Sequence, residues 1–205
     1  MTMIKKSPIF LMFACLLLVN GCANQETTRT GFLGGYDQMQ ADAEGNLTYV
    51  NPQSRQLYSG FMVDEVTYAP GSNSDTLDPE QIASLQKEYR ESLISNFSKK
   101  YTPAQVAGAN VMRVRPAITG VSTAVAPLNY VTILAILTPV SNGGISTENE
   151  VVDSVTGERL VALSLSSNPD VTDGEVSGYF TETGHAKSML DDHARRVYDL
   201  VGSSK

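Results

Sequence analysis

The chain has 205 residues, of which 41% are hydrophobic and 18% charged, and its formal net charge is −7. This length fits one domain of ordinary size, and the composition excludes collagen-like, disulfide-scaffold and highly charged disordered proteins. The acidic balance argues against nucleic-acid binding, because neutralising phosphates requires a basic face.

The first residues are typical of a secretory signal peptide, which we assign to residues 1–21. Lys5 and Lys6 form a basic start, and an apolar run over residues 9–19 follows them. As a helix this run would cover only about 16 Å, short of the roughly 30 Å of a bilayer core. A basic start, a short apolar region and a small-residue end therefore predict a signal peptide and not a transmembrane anchor.

The end of this segment carries the most specific motif in the chain. Val19-Asn20-Gly21-Cys22 resembles the bacterial lipobox, in which a small residue precedes a lipidated cysteine. The resemblance implies cleavage after Gly21, lipid attachment at Cys22 and acylation of the new N-terminus. Two or more acyl chains give stable anchoring. The alternative is an ordinary secreted protein in which Cys22 is incidental. Ala23 stands where an aspartate typically retains such lipoproteins in the inner membrane, so resemblance to that sorting pattern favours the periplasmic face of the outer membrane.

Processing would change the chemistry available to the mature chain. Cleavage removes Lys5 and Lys6 and no acidic residue, so the balance becomes 13 basic to 22 acidic side chains, or −9. Cys15 leaves with the signal and Cys22 is capped by lipid. The mature protein would then have no free thiol, which excludes cysteine catalysis and thiolate metal sites.

After the signal we predict a lipidated N-terminus with a flexible tether, residues 22–31, and a single periplasmic domain, residues 32–201. Residues 24–30 are polar and have no apolar period. Alternation predicts a first strand over residues 61–68, with Phe61, Val63, Glu65 and Thr67 on one face. A second strand is predicted over residues 111–118.

A well-marked helix is predicted from Pro79 to about Lys99. Asp78 is placed to cap it, Pro79 suits its first position, and Gln81 suits the reciprocal capping position. Apolar residues recur at helical spacing on one side, at Ile82, Leu85, Tyr89, Leu93 and Phe97. We expect this stripe to pack on the protein's own sheet.

Residues 121–140 contain no charged side chain and several large apolar ones. Three interpretations remain open: buried core, a membrane-apposed segment or an oligomer interface. Pro127 and Pro139 enclose too few residues to span a bilayer. A hairpin is predicted next, over residues 145–152 and 159–165, with Gly157 in its turn. A final helix is predicted from about His185 to Val201.

The order of these elements predicts the fold class. Helices interleaved with a few strands suit an α+β two-layer sandwich, in which a mixed or antiparallel sheet carries two main helices on one face. The sequence offers no catalytic constellation, cofactor motif or metal site. His185 and His193 both fall on the terminal helix, where a solvated face is the expected environment. We therefore expect a protein that is not an enzyme and needs no cofactor or metal.

Arg113 and Arg115 are the one pair of basic residues with a candidate role. They should project from the same face of the strand over residues 111–118, with Met112 and Val114 facing the core. Two guanidinium groups on one face could bind a carboxylate or phosphate. The alternative is that they pair with Glu148 or Glu150 across the sheet.

Several short motifs occur in an order that resembles a family of bacterial lipoproteins, "domain of unknown function 3313". They are the lipobox, residues 31–36, residues 62–66, the helix start at residues 77–80, residues 113–119, the turn at residues 153–158 and the terminal helix. The resemblance covers about residues 31–201. It implies a lipid-anchored envelope protein and carries over no catalytic residues.

From these observations we expect a non-enzymatic accessory or assembly module, bound to the membrane through Cys22 and to a protein partner in the envelope. The alternative is a carrier or sensor that binds a lipid or other small ligand through residues 121–140.

Overall fold

A computed structural model describes residues 27–52, 58–122, 144–167 and 186–203 of the protein. Two α-helices lie within these ranges, α1 (Pro79–Ser98) and α2 (Ala186–Ser203), together with a short 3-10 helix at Tyr36–Gln38. The strands within them are β1 (Gln40–Ala41), β2 (Leu47–Val50), β3 (Gly60–Val63), β4 (Thr67–Tyr68), β5 (Thr102–Pro103), β6 (Val111–Ser122), β7 (Gly144–Asp153) and β8 (Arg159–Ser167).

In the described residues the strands form one open mixed sheet in the order β1-β2-β8-β7-β6-β3-β5, with β4 also paired to β6. The pairs β1–β2, β2–β8, β8–β7 and β7–β6 are antiparallel. The pairs that β3 and β4 make with β6, and β5 with β3, are parallel. Helix α1 contacts β3, β4 and β5, while α2 contacts β7 and β8 and packs against α1. The predicted α+β class, with two helices on one face of a mixed sheet, is confirmed.

The prediction of one continuous strand over residues 61–68 is wrong, because this segment forms two separate strands, β3 and β4. Val114 and Ile118 of β6 accept backbone hydrogen bonds on this side, from Asp64 and Ala69 at 3.0 and 2.9 Å. Pro116 lies midway between them and has no N–H to donate. The segment that joins β3 to β4 therefore leaves the hydrogen-bond ladder opposite Pro116. The predicted alternation of the two strand faces fails beyond Val63 for this reason.

Helix α1 begins as predicted, with Asp78 as its N-cap. The Asp78 carboxylate accepts a hydrogen bond from the Gln81 backbone N–H at 2.8 Å, and the Gln81 side-chain oxygen accepts one from the Asp78 N–H at 3.0 Å. This reciprocal pair is a capping box, which satisfies two helix-end donors. The predicted apolar stripe is buried at Leu85, Tyr89, Leu93 and Phe97, while Ile82 is partly buried.

The predicted hairpin is confirmed as β7 and β8, each slightly longer than expected. Gly157 has φ +73° in the connecting turn, a left-handed conformation that glycine adopts without strain. The Asp153 carboxylate stabilises the same turn by accepting hydrogen bonds from the backbone of Val155 and Thr156, at 3.0 and 2.8 Å.

The two helices run in the same direction. Lys187 near the start of α2 pairs with Glu88 of α1, and Tyr198 near its end contacts Phe97 of α1 with ring centroids 5.8 Å apart. Phe97 also contacts Phe61 of β3, at 5.4 Å. These aromatic contacts join both helices to the sheet at one end of the core.

Several sequence predictions fall outside the described residues. They are the lipobox, which includes Cys22; the terminal-helix residue His185; and residues 123–140 of the uncharged segment. Val121, at the start of that segment, is described and is buried in the core. Neither helix in the described part of the chain has the length and apolar character needed to span a bilayer.

Candidate functional site

The sheet has two differently covered faces, which alternate along β7. Thr147 and Asn149 face the helices, since both lie within hydrogen-bond distance of the Tyr89 hydroxyl of α1. Successive strand residues point to opposite faces, so Ser146, Glu148 and Glu150 lie on the other side. All of β7 is nonetheless buried. The second face must therefore have a cover of its own.

The cover over this second face is formed by the chain's first described residues, 27–38, which we call the N-terminal strap. The contact between the strap and the sheet is centred on the Glu148 side chain of β7, which is fully buried. One carboxylate oxygen accepts hydrogen bonds from the Thr30 backbone N–H at 2.9 Å and from its hydroxyl at 3.3 Å. The other accepts from the Leu33 N–H at 3.2 Å and from the Tyr36 hydroxyl at 2.6 Å. Backbone donors thus satisfy a buried carboxylate and hold the strap on the sheet.

Tyr36 is suited to donate to this carboxylate over the whole physiological pH range. Burial and the hydrogen bond to Glu148 raise the pKa of Tyr36 to about 12. The hydroxyl therefore keeps its proton and its bond to Glu148. The same oxygen accepts the Gly31 N–H at 3.0 Å, so Tyr36 closes the strap on itself.

The strap is also fixed before Thr30. The Ser164 hydroxyl donates to the Thr28 carbonyl at 2.8 Å, and the hydroxyls of Thr28 and Thr119 are 2.5 Å apart. Small residues beneath it leave room: a Cβ added at Gly120 would lie 3.2 Å from the Ser146 Cβ and 3.6 Å from the Thr28 methyl. The tether predicted over residues 22–31 is therefore wrong for residues 27–31, which are bound to the sheet.

Arg113 and Arg115 project from the strap face of β6, as predicted, and each pairs with a carboxylate. The Arg113 Nε lies 2.9 Å from Asp64 Oδ1, a partner that the sequence did not suggest. The Arg115 Nη1 lies 2.6 Å from Glu150 Oε2, as the cross-sheet alternative predicted. Glu148, the other suggested partner, binds the strap instead. Anion binding by this arginine pair stays a prediction.

Glu150 links this ion-pair row to the strap. Its second carboxylate oxygen pairs with Arg159 of β8, whose Nε lies 2.6 Å away. The Arg159 Nη1 in turn donates to the Gly34 carbonyl at 2.6 Å. The strap is therefore held at Thr28, at Thr30 to Tyr36 through Glu148, and at Gly34 through Arg159.

On the helix face, His193 is completely buried, so the predicted solvated environment for it is wrong. Its Nδ1 lies 2.9 Å from the Thr147 hydroxyl and its Nε2 lies 2.8 Å from the Ser167 hydroxyl. Burial lowers the pKa of His193 to about 3, with Asp192 raising it and Arg196 lowering it further. The imidazole is therefore neutral at physiological pH.

The Thr147 hydroxyl oxygen also accepts a hydrogen bond from the Asn149 amide at 3.1 Å. Each ring nitrogen of the neutral His193 thus has a hydroxyl partner, one on β7 and one on β8, and one of the two nitrogens carries the ring proton. His193, Thr147, Asn149 and Ser167 therefore form one buried polar network between α2 and the sheet.

The sequence analysis did not predict that Glu148 and His193 are buried. A signal existed for Glu148, because residues 146–150 are polar at consecutive positions and so break the alternation of a half-exposed strand. Such a run indicates polar partners on both faces.

Across the described residues, no group of three or more His, Cys, Asp or Glu side chains is placed to hold a metal ion.

The described structure is an open-sheet α+β domain with two helices on one face and its own N-terminal strap on the other. The chain belongs to the family described as "Protein of unknown function (DUF3313)", which it matches over residues 28–197. The expected family is thus confirmed. No curated protein matches the chain.

Solved structures show distant likeness in fold. A PelC dodecamer from Paraburkholderia phytofirmans aligns with 9% identity and a TM-score of 0.44, covering 76% of this chain and 96% of the other. The hypothetical protein CT253 from Chlamydia trachomatis aligns with 13% identity and a TM-score of 0.40, covering 70% and 98%. Protein XCC0632 from Xanthomonas campestris aligns with 8% identity and a TM-score of 0.40, covering 75% and 91%.

Proposed function

We propose that the protein is a lipid-anchored envelope lipoprotein, attached through Cys22, that serves as a non-enzymatic accessory or assembly module at the periplasmic face of the outer membrane. The observation that carries the proposal is the N-terminal strap. Thr27, which starts the strap, lies five residues after Cys22, and the strap binds the sheet through Glu148. An anchor at Cys22 would be coupled directly to the fold.

The strap also limits how far the domain can move from such an anchor. Without it, the chain from Cys22 to the first strand would act as a long tether. Because Thr28 and Thr30 are bound, the five residues from Cys22 to Thr27 set an upper limit of about 17 Å on the distance between the anchor and the strap. A short reach suits a module that works next to the membrane surface.

Replacement of the proposed anchor residue tests this function. We expect Cys22→Ser to move the protein from the membrane fraction to the soluble periplasmic fraction, because the lipid is its proposed means of attachment. Cys15→Ser is the matched control and should leave the protein in the membrane fraction, because Cys15 lies within the apolar run of the signal peptide. Membrane retention of Cys22→Ser would contradict the anchor.

The non-enzymatic part of the proposal is supported by how the buried titratable groups are used. Glu148 binds the strap, and His193 is neutral and bonded to Thr147 and Ser167. We expect a protein partner to co-purify in constant stoichiometry when the full-length lipoprotein is crosslinked in cells and isolated. Recovery of the chain alone under these conditions would contradict an assembly role.

The second candidate is a carrier or sensor for a lipid or other small ligand, using residues 121–140. It is favoured by the absence of charge in this segment and by the burial of Val121 at its start. A carrier should retain lipid during purification. Native mass spectrometry of the chain released by Cys22→Ser would then show a bound mass, and an unliganded mass alone would contradict this candidate.

A further inference from the structure

The domain has two distinct ends along the direction of its central strands. We call the end with Ser122, Gly144 and Ser167 the proximal end, since β6 stops there, β7 starts there and β8 stops there. The opposite end, where Asp153 and Arg159 flank the hairpin turn, is the distal end. The length of β7 separates the two ends by roughly 30 Å, at about 3.3 Å per strand residue.

The strap crosses the sheet from the proximal end towards the distal end. Thr28 contacts Thr119 and Ser164, near the proximal ends of β6 and β8. Gly34 contacts Arg159 at the distal end. The strap therefore begins near the proximal end, at Thr28.

The loop between β4 and α1 also lies at the proximal end. The Gly71 backbone N–H donates to Thr119 at 2.9 Å and the Asp75 N–H donates to Val121 at 2.7 Å. A Cβ added at Gly71 would lie 3.7 Å from the Thr30 methyl, so this loop is next to the strap. Asn73, within the loop, is exposed.

We propose that the proximal end faces the lipid bilayer and that the distal end points away from it. This orientation rests on the proposed anchor at Cys22. The five-residue connection allows a reach of about 17 Å, which is shorter than the roughly 30 Å length of the sheet. The anchor therefore holds the proximal end close to the membrane.

Single-cysteine labelling of the full-length lipoprotein tests the orientation. If Cys22 is lipidated, the mature chain has no other thiol, so each introduced cysteine is unique. Asn73→Cys reports on the proximal end. Val155→Cys and Val106→Cys are matched distal controls, with residue exposures of 65% and 73% in loops joined by the hydrogen bond between Ser154 and Gly108.

Each variant is labelled with a fluorophore and reconstituted in phosphatidylcholine vesicles that contain a headgroup-quencher lipid. We expect a large loss of fluorescence at position 73 and little loss at positions 155 and 106. Equal loss at both ends, or greater loss at the distal positions, would overturn the orientation. Vesicle flotation of the same samples separates the two proposals, because a protein that fails to float lacks the anchor, whereas one that floats with the wrong quenching pattern is anchored in another orientation.

Discussion

The buried imidazole of His193 makes the protein's stability depend on pH in a defined direction. Its pKa is lowered to about 3, from 6.5 in an unfolded chain. Above pH 6.5 both states are largely unprotonated and the group has little effect. As the pH falls from 6.5 towards 3, the unfolded state binds a proton that the folded state excludes, so the free energy of unfolding decreases.

The size of this effect follows from the two pKa values. Between about pH 7 and about pH 5, preferential protonation of the unfolded chain lowers the free energy of unfolding by about 2 kcal/mol. Thr147 and Ser167, which face the ring from β7 and β8, are uncharged and supply no counterion. Carboxylates contribute at lower pH: the Thr156 backbone N–H, for example, holds the pKa of Asp153 below its ordinary 3.8.

Urea denaturation of the Cys22→Ser form at about pH 7 and about pH 5 measures the effect. His193→Gln removes the titrating group, and we expect the difference in unfolding free energy between the two pH values to shrink by about 2 kcal/mol. The variant should be less stable at both pH values, but the readout is the difference. His185→Gln is the matched control for the chain's other histidine. An unchanged pH dependence in His193→Gln would refute the assignment of a buried neutral imidazole.

Three further variants test the strap and the packing of α1. Glu148→Gln presents an amide donor to the strap's backbone donors, so we expect the free energy of unfolding to fall by about 2–3 kcal/mol and trypsin to cleave faster after the exposed Arg29. Unchanged cleavage would show that Glu148 does not hold the strap on the sheet. Tyr89→Phe deprives the buried Asn149 side-chain oxygen of its hydrogen-bond donor and should cost about 1–3 kcal/mol in urea denaturation, whereas an unchanged midpoint would exclude the hydrogen bond. Asp78→Ala removes the cap of α1 and should cost about 1 kcal/mol, with Asp78→Asn as the control that retains a capping oxygen and restores the thermal midpoint.

The elements that were readable from sequence are those determined by local interactions. Helix α1 has its cap, first-position proline and apolar stripe within one continuous segment, and its start matches the prediction at Pro79. The β7–β8 hairpin is equally local, because Gly157 sets the turn. In both cases every deciding contact lies within a few residues along the chain, which is the range that spacing rules describe.

The features that were missed depend on residues distant in sequence. The break after Val63 is imposed by Pro116 on the neighbouring strand, which lies far along the chain. The Thr30–Glu148 contact joins residues 118 positions apart. His193 is buried because its side of α2 packs on β7 and β8. The prediction of an exposed helix face rested only on the polar character of histidine. Periodicity within a segment carries no information about such partners.

The small side chains beneath the strap have a mechanical consequence. A Cβ at Gly120 would lie 3.2 Å from the Ser146 Cβ and 3.6 Å from the Thr28 methyl, so a side chain that extends further would meet the strap at Thr28. If that side chain displaced the strap in a chain anchored at Cys22, the upper limit on its reach would be set by the residues up to Gln40, at roughly 60 Å instead of about 17 Å. If the proposed anchor at Cys22 is present, side-chain volume beside the sheet would thus set how far the domain can extend from a membrane.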